Sequence, residues 1–356
     1  MIKIGVIGAG GNTVSAHIPK LIEQKDVEII AVANRSIESG NKVAKKFNIK
    51  HVYDDWQEVI MNENVDAVCI GTWPNMHASI TLEALESGKH VLTEARMAMN
   101  SEEAEIMFNV SKNYPELITQ IVPAPHTLPY DSAIKNWVSN EMGDLLLFDV
   151  KSSTGEFIDY DRSMHWRENR DLSGNNIMHM GIFYEAGMRW LGTASSVMAV
   201  SNVNVKKRLS PDTGFISEIS IPDHLEAIGE MNIGGNFHLS HSTVLGGAKK
   251  IEIYIYGTNS TLRISEDPES TIPQSYNTVM LKLEVLNKNS KKWKILRPRK
   301  SEIGRWRVEE EFIQAIKGNE KISHTTFSDG VKYMQFTDAL KISSETNSKI
   351  YLPLSK

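Results

Sequence analysis

Ile4-Gly5-Val6-Ile7-Gly8-Ala9-Gly10-Gly11-Asn12-Thr13-Val14 is the stretch that decides the fold of this 356-residue chain. A short apolar run, Ile4 to Ile7, ends directly on Gly8-Ala9-Gly10, and a helical pattern takes over at about Val14. Strand, glycine turn and helix in immediate succession are the context in which a glycine fingerprint carries meaning. Gly8 permits the tight turn. Gly10 lets the backbone approach a pyrophosphate, whose charge is met by the amides and dipole of the helix N-terminus. The third glycine of G-x-G-x-x-G is missing: Thr13 stands there, and Gly11-Asn12-Thr13 reads as a slightly longer turn. The residues point to a bound dinucleotide, with a purely structural turn as the bland alternative.

Working outward, apolar runs alternate with helical patterns: strands at Ile2 to Ile7, Val27 to Ala33, Ala67 to Ile70 and His90 to Leu92, helices at Val14 to Glu23, Ile37 to Phe47 and Ala78 to Ser87. Nearly all-apolar strands separated by helices predict a doubly wound parallel sheet, a Rossmann domain over residues 1–122. Pro123, Pro125 and Pro129 mark the boundary after the run Ile118 to Val122. Residues 123–356 then read as an α+β domain. Helices are expected at Asp131 to Glu141 and Asn176 to Trp190, strands at Leu145 to Lys151 and in seven further segments between Val197 and Leu296, and closing helices at Arg307 to Ile316 and Asp329 to Ser344. Many strands in succession predict a large, mainly antiparallel open sheet, with the terminal helices returning near the first domain.

Composition narrows the class. Hydrophobic residues at 41% and charged residues at 23% are those of a globular protein, and a net charge of -5 offers no global attraction to nucleic acid or anionic lipid. The basic run from Lys291-Lys292 to Arg297-Arg299-Lys300 reads as a solvated loop. A single cysteine, Cys69, inside an apolar strand suits a reducing cytoplasm. No signal segment or membrane span is expected.

The end of the second strand reads Ala33-Asn34-Arg35-Ser36. An acidic residue there would hydrogen-bond a free ribose 2′-hydroxyl and repel a 2′-phosphate. None is present, Arg35 can pair with phosphate, and Asn34 and Ser36 can donate hydrogen bonds, so NADP is favoured over NAD. The alternative is that Arg35 stacks on adenine and tolerates either cofactor.

Gly8-Ala9-Gly10, His17-Ile18-Pro19, Asp66-Ala67-Val68, Thr72 to His77 and Ala84-Leu85-Glu86-Ser87-Gly88-Lys89-His90-Val91-Leu92 together resemble the Gfo/Idh/MocA family, the glucose-fructose oxidoreductase and inositol dehydrogenase group. The likeness continues through Trp166-Arg167, Gly181, Arg189-Trp190-Leu191-Gly192, Tyr256-Gly257-Thr258 and the terminal stretch from Glu310, so it covers essentially the whole chain. It implies a pyridine-nucleotide dehydrogenase or reductase for a sugar, sugar derivative or polyol, a homodimer or homotetramer, with Thr72, Trp73, His77 and Glu94 beside the cofactor.

This chain departs from the family's usual chemistry. Family members usually carry Glu-Lys-Pro where this sequence has Glu94-Ala95-Arg96, so the acid/base lysine is missing. The second signature, aligned on Gly181, places His179, Phe183 and Ala186 where an aspartate, a histidine and an aspartate are usual. His179 is therefore the first candidate for proton transfer, since its imidazole titrates near neutrality. Arg96, cationic beside the vanished lysine, suits substrate orientation or alkoxide stabilisation, and Tyr184 is a further proton-relay candidate. The bland readings are a structural histidine, a packed tyrosine and, for His126 and His165, exposed loop positions. No spacing resembles a metal site. Two other classes stay open: a dinucleotide-binding sensor without turnover, and a lyase or hydrolase that uses tightly held cofactor for transient oxidation.

Overall fold

The structure, a computed structural model, describes residues 1–175, 178–270 and 279–355, with the backbone alone for residues 178–180. It divides into two units: Met1–Pro123 with Asp171–Gly174 and Arg307–Met334, and Ala124–Arg170 with Asn175–Trp306 and Gln335–Lys356.

The first unit holds β1 (Ile2–Ile7), α1 (Ile18–Ile22), β2 (Val27–Ala33), α2 (Ile37–Phe47), β3 (His51–Tyr53) and α3 (Trp56–Met61). It continues through β4 (Ala67–Ile70), α4 (Pro74–Glu86), β5 (His90–Thr93), α5 (Ser101–Ser111) and β6 (Thr119–Ile121). Its sheet runs β3-β2-β1-β4-β5-β6 with every pair parallel. All four residues of β4 are buried, as strands covered on both faces must be. Strand order reverses between β1 and β4, and the crevice outside the carboxyl ends at such a point is where open α/β sheets bind ligands. Asparagine, serine and aspartate side chains start the helices: Ser36 accepts from the Ser39 amide, Asp55 from Gln57 and Asn100 from Glu103. The helix after the glycine turn begins at Gly11 rather than Val14, and Thr13–His17 forms a π-turn ahead of α1.

The second unit holds α6 (Asp131–Asn140), β7 (Leu145–Ser153) and the start of α7 (Arg170–Ser173), then α8 (Met178–Leu191) and β8 (Ala194–Asn202). The hairpin β9 (Lys207–Leu209) and β10 (Ile216–Glu218) precedes β11 (His224–Met231), β12 (Asn236–Ser242), β13 (Ile251–Gly257) and β14 (Ser260–Glu266). The chain then runs through β15 (Leu281–Asn287) and β16 (Lys294–Ile295) to α9 (Val308–Ile316) in the first unit, α10 (Phe327–Thr346) and β17 (Ile350–Tyr351).

Nine strands form one sheet in the order β16-β15-β14-β13-β7-β12-β11-β8-β17, antiparallel except for the parallel pair β7–β12. One face buries Val150, Leu239, Ile253 and Leu225 on the side of α8, which packs on β7 and β12. Tyr184 stacks on Phe336 at 3.6 Å, and Phe148 meets Trp190 edge-on. The opposite face carries a row that register places side by side: Met198, Ile228, His238, Asp149, Tyr254, Arg263 and Glu284. His238 bridges Asp149 at 2.8 Å and Glu226 at 2.9 Å, while Met198, Val200 and Ile228 are 44%, 64% and 56% exposed. The architecture is the one expected from the sequence: a doubly wound parallel sheet followed by an α+β domain with a large, mainly antiparallel open sheet.

Candidate cofactor site

A cavity of about 480 Å³ opens at the carboxyl ends of β1, β2 and β4. Gly8, Ala9 and Gly10 form one wall, Asn34 and Arg35 a second, and Gly71, Thr72 and Trp73 a third. Gly8 has φ +82°, and a Cβ there would lie 2.6 Å from the Thr72 amide nitrogen, so only glycine fits. A Cβ on Gly10 would meet nothing within 4 Å: it would point into the space a ligand needs. The rest of the turn is braced from beneath. The Ala9 amide donates to Asn34 Oδ1 at 2.7 Å, and buried Thr13, in place of the third glycine, donates its hydroxyl to the Gly8 carbonyl at 3.2 Å. Bare turn backbone facing a cavity of this size fits a dinucleotide phosphate.

The far end of the cavity carries charge and aromatic surface. The Arg35 guanidinium lies over the Trp73 ring, 4.5 Å from its centroid. Ser36 is used as the cap of α2, and Ser39, one turn on, lines the cavity instead. Trp56, Asn75 and Met76 complete this side with Asp54, which supplies a carboxylate that sequence reasoning did not find. Its signal is weak: Asp54-Asp55 follows a strand of only three residues, His51–Tyr53.

At the end of β5 the Glu94 carboxylate gathers a buried cluster. Its Oε1 accepts from the Asn12 amide and from His17 Nε2 at 2.9 Å, its Oε2 from the Ala95 amide at 3.1 Å, and His17 Nδ1 lies 2.6 Å from Glu309 Oε1 in α9. His17 is fully buried, which alone would lower its pKa, but the two carboxylates outweigh that and raise it to about 9. Glu94 is held below the usual carboxylate range by His17, Asn12 and the Ala95 amide, against its own desolvation. Nearby, fully buried His77 has its pKa lowered by desolvation, and its Nδ1–H donates to the Arg96 carbonyl at 2.8 Å. His77 thus ties α4 to the segment after β5, and Arg96 itself is 5% exposed.

Residues 2–119 match the oxidoreductase family model with an NAD-binding Rossmann fold, and residues 135–352 match that family's C-terminal alpha/beta domain. The chain belongs to the Gfo/Idh/MocA oxidoreductase family. An uncharacterized oxidoreductase of Synechocystis is 24% identical across 75% of this chain and 72% of its own length. Pig trans-1,2-dihydrobenzene-1,2-diol dehydrogenase is 25% identical over 51% of this chain and 52% of its own. Among solved structures, levoglucosan dehydrogenase in complex with NADH and L-sorbose superposes with a TM-score of 0.82 at 18% identity, covering 99% of both chains. The last likeness is one of fold.

In this oxidoreductase the departures from the family's polar signature are accounted for in part. Phe183 is buried, and His126 stacks on it with ring centroids 5.5 Å apart. Tyr184 is 3% exposed, its hydroxyl accepts from the Ala194 amide at 2.9 Å, and burial pushes its pKa well up, so its surroundings are those of a packing residue. Glu185 accepts from the Ala124 amide and pairs with Arg189, which also binds Asp131 at 2.8 Å. His179 lies in α8, and its side chain is outside the described residues. Among the described residues no group of three or more His, Cys, Asp or Glu could hold a metal, and no helix is long and apolar enough to cross a membrane.

The second unit has its own cavity of about 490 Å³, lined by Thr154, Phe157, Arg162, Glu168, Arg208 and His241 among others. Glu168 accepts two hydrogen bonds from Arg162, at 2.7 and 2.8 Å, and one from Arg208 at 3.2 Å. Phe157 is 82% exposed beside them.

Proposed function

We propose that this oxidoreductase is a dehydrogenase or reductase that uses NADP in preference to NAD and acts on a sugar, sugar derivative or polyol. The observation that carries the cofactor half is Arg35, poised over Trp73 at the wall of the cavity, with Asn34 beside it where a ribose-binding carboxylate would otherwise stand. Asp54 opposes a 2′-phosphate; both it and Arg35 are exposed, and what favours Arg35 is the direct charge-assisted contact that its stacked guanidinium would make. The cofactor, when bound, supplies the hydride acceptor or donor. Gly8 and Gly10 offer backbone to its pyrophosphate, and Arg35 and Trp73 hold its adenosine end.

The polar cavity of the second unit supports a polyhydroxylated substrate. Its lining combines an ordered Arg162–Glu168–Arg208 network with the exposed Phe157 ring, polar and apolar surface of the kind a sugar uses. Proton transfer falls to His179, with Arg96 orienting the substrate. His126 is the second reading for the proton-transfer role, favoured by its stacking on Phe183 at the family's usual histidine position. We place the protein in the cytoplasm, as a homodimer or homotetramer that covers the Met198–Val200–Ile228 patch of the open sheet.

The test is a panel of aldoses, ketoses, glycosides and polyols with NADP and NAD, read by nicotinamide absorbance. Turnover with a member of the panel and NADP supports the reading. Cofactor binding without net hydride exchange for any of them would favour the sensor, and product formation without net cofactor change the lyase or hydrolase. Sedimentation of the intact chain decides the assembly.

A further inference from the structure

The cluster at His17 has a geometry that favours the imidazolium over the neutral ring, although the Asn12 side-chain amide also lies 3.4 Å from Nε2. Both ring nitrogens face carboxylate oxygens, Nδ1 toward Glu309 at 2.6 Å and Nε2 toward Glu94 at 2.9 Å. A neutral ring owns one N–H and would leave the other nitrogen lone pair against a carboxylate; the imidazolium owns two. Charge gives the same answer. The side chains of His17 and Glu309 are 0% and 1% exposed and that of Glu94 16%, so a cation between the two carboxylates offsets one of two poorly solvated negative charges.

The cluster also connects two parts of the first unit that are far apart in sequence. Glu309 lies in α9, which packs on α1, and His17 ends the π-turn that leads into α1. Glu94 follows β5, and Asn12 lies in the first turn of the helix that opens at Gly11, directly after Gly8-Ala9-Gly10. Other titratable groups in electrostatic reach among the described residues are Lys20, its pKa lowered by partial burial against the pull of Glu309 and Glu23, His77, lowered by its own burial against Glu94, and the Cys69 thiol in β4, pushed up by burial and by the two carboxylates.

We infer that His17 is a positioning residue of the cofactor site: held as an imidazolium by Glu309, it fixes the Glu94 carboxylate, which holds the Asn12 amide and with it the dinucleotide turn. The inference rests on the cofactor reading above and adds to it a part for the C-terminal segment. The turn is set by a relay Glu309–His17–Glu94–Asn12, and the relay is intact only while His17 is charged. Cofactor affinity is therefore pH-dependent through a residue that does not line the cofactor cavity.

The experiment uses the intact chain. NADPH and NADH affinities are measured from pH 7 to 10 by quenching of tryptophan fluorescence, Trp56 and Trp73 both lining the cavity. Circular dichroism monitors folding, and His17 is titrated by NMR in the absence of cofactor, its signal assigned by loss in His17→Gln. The expected result is a His17 midpoint near 9 and a dissociation constant that is flat near neutrality and rises about tenfold as the imidazolium is lost. In Glu309→Gln both midpoint and rise move to lower pH, and Glu309→Asp recovers part of the wild-type profile. A His17 midpoint at or below 6.5 overturns the inference, as does wild-type affinity unchanged across its titration. The wild-type profile decides even where a variant does not fold. Failure of the wild type to bind either dinucleotide at pH 7 overturns instead the cofactor reading on which the relay depends.

Discussion

Arg35 and Trp73 are stacked, guanidinium over ring at 4.5 Å, at the end of β2 and the start of α4. The stack pre-orders a flexible cation on a rigid platform at the cavity wall, so less side-chain entropy is lost when an anion arrives. Arg35→Ala is expected to weaken NADPH by about 1 to 3 kcal/mol and NADH by distinctly less. Titration of both cofactors checks it. Equal losses would mean that Arg35 serves the adenine and not a 2′-phosphate.

Asp54 works against the same preference. It is the carboxylate among the described cavity residues, and removing its charge should favour the more anionic cofactor. Asp54→Asn is expected to raise NADPH affinity by about two- to fivefold at low salt, with the gain shrinking at high ionic strength. An unchanged ratio of NADPH to NADH affinity would place Asp54 too far from the phosphate to matter.

The two glycines of the turn separate folding from binding. Gly8→Ala forces a side chain onto φ +82° and against the Thr72 backbone, so it should cost about 1–3 kcal/mol of stability. Gly10→Ala meets no protein atom, so its thermal midpoint should match wild type while dinucleotide affinity falls. A stable Gly8→Ala, or a Gly10→Ala with wild-type affinity, would contradict this division.

Most of the parallel sheet was legible because its strands are nearly all-apolar runs: Ile2–Ile7, Val27–Ala33 and Ala67–Ile70 have the boundaries expected of them. What was missed is short or weakly patterned. Strand β3 spans three residues with His51 exposed, α3 spans six, and α5 buries only Ala104 and Met107. The cofactor turn could be read locally, since Gly8, Gly10, Asn34 and Arg35 stand beside strand ends. The partners of His17 could not: Glu309 is 292 residues from it and Glu94 is 77, and no local pattern encodes those contacts. Ser36 caps α2, a role this residue type fills as readily as ligand binding, and its sequence neighbours do not distinguish the two.

His17 also links pH to stability. Its folded pKa of about 9 lies above the ordinary 6.5, so its contribution is complete below pH 6.5 and is lost as pH rises through 9. Stability should therefore fall between pH 6.5 and 9, by up to about 3 kcal/mol from this group. Urea midpoints of wild type and His17→Asn across that range test it. The variant should start lower and change less. Parallel curves would remove His17 as the cause.

The last prediction concerns proton transfer. Alcohol oxidation needs a group to take the hydroxyl proton, and neither Ala95 nor Phe183, at the family's usual lysine and histidine positions, can do so. Two histidines are left to compare. His179 precedes Phe183 by one turn of α8, and His126 stacks on the Phe183 ring at 5.5 Å. General acid–base assistance is worth ~10²- to 10⁴-fold, so replacing the working histidine by alanine should lower kcat/KM on that scale and abolish the limb of the pH profile between about pH 5 and 8. Cofactor affinity should stay nearly constant. His179→Ala is expected to give this result and His126→Ala to alter chiefly KM. The reverse pattern would transfer the role to His126. Near-normal turnover in both folded variants would remove both histidines from the mechanism and leave bound water as the proton carrier.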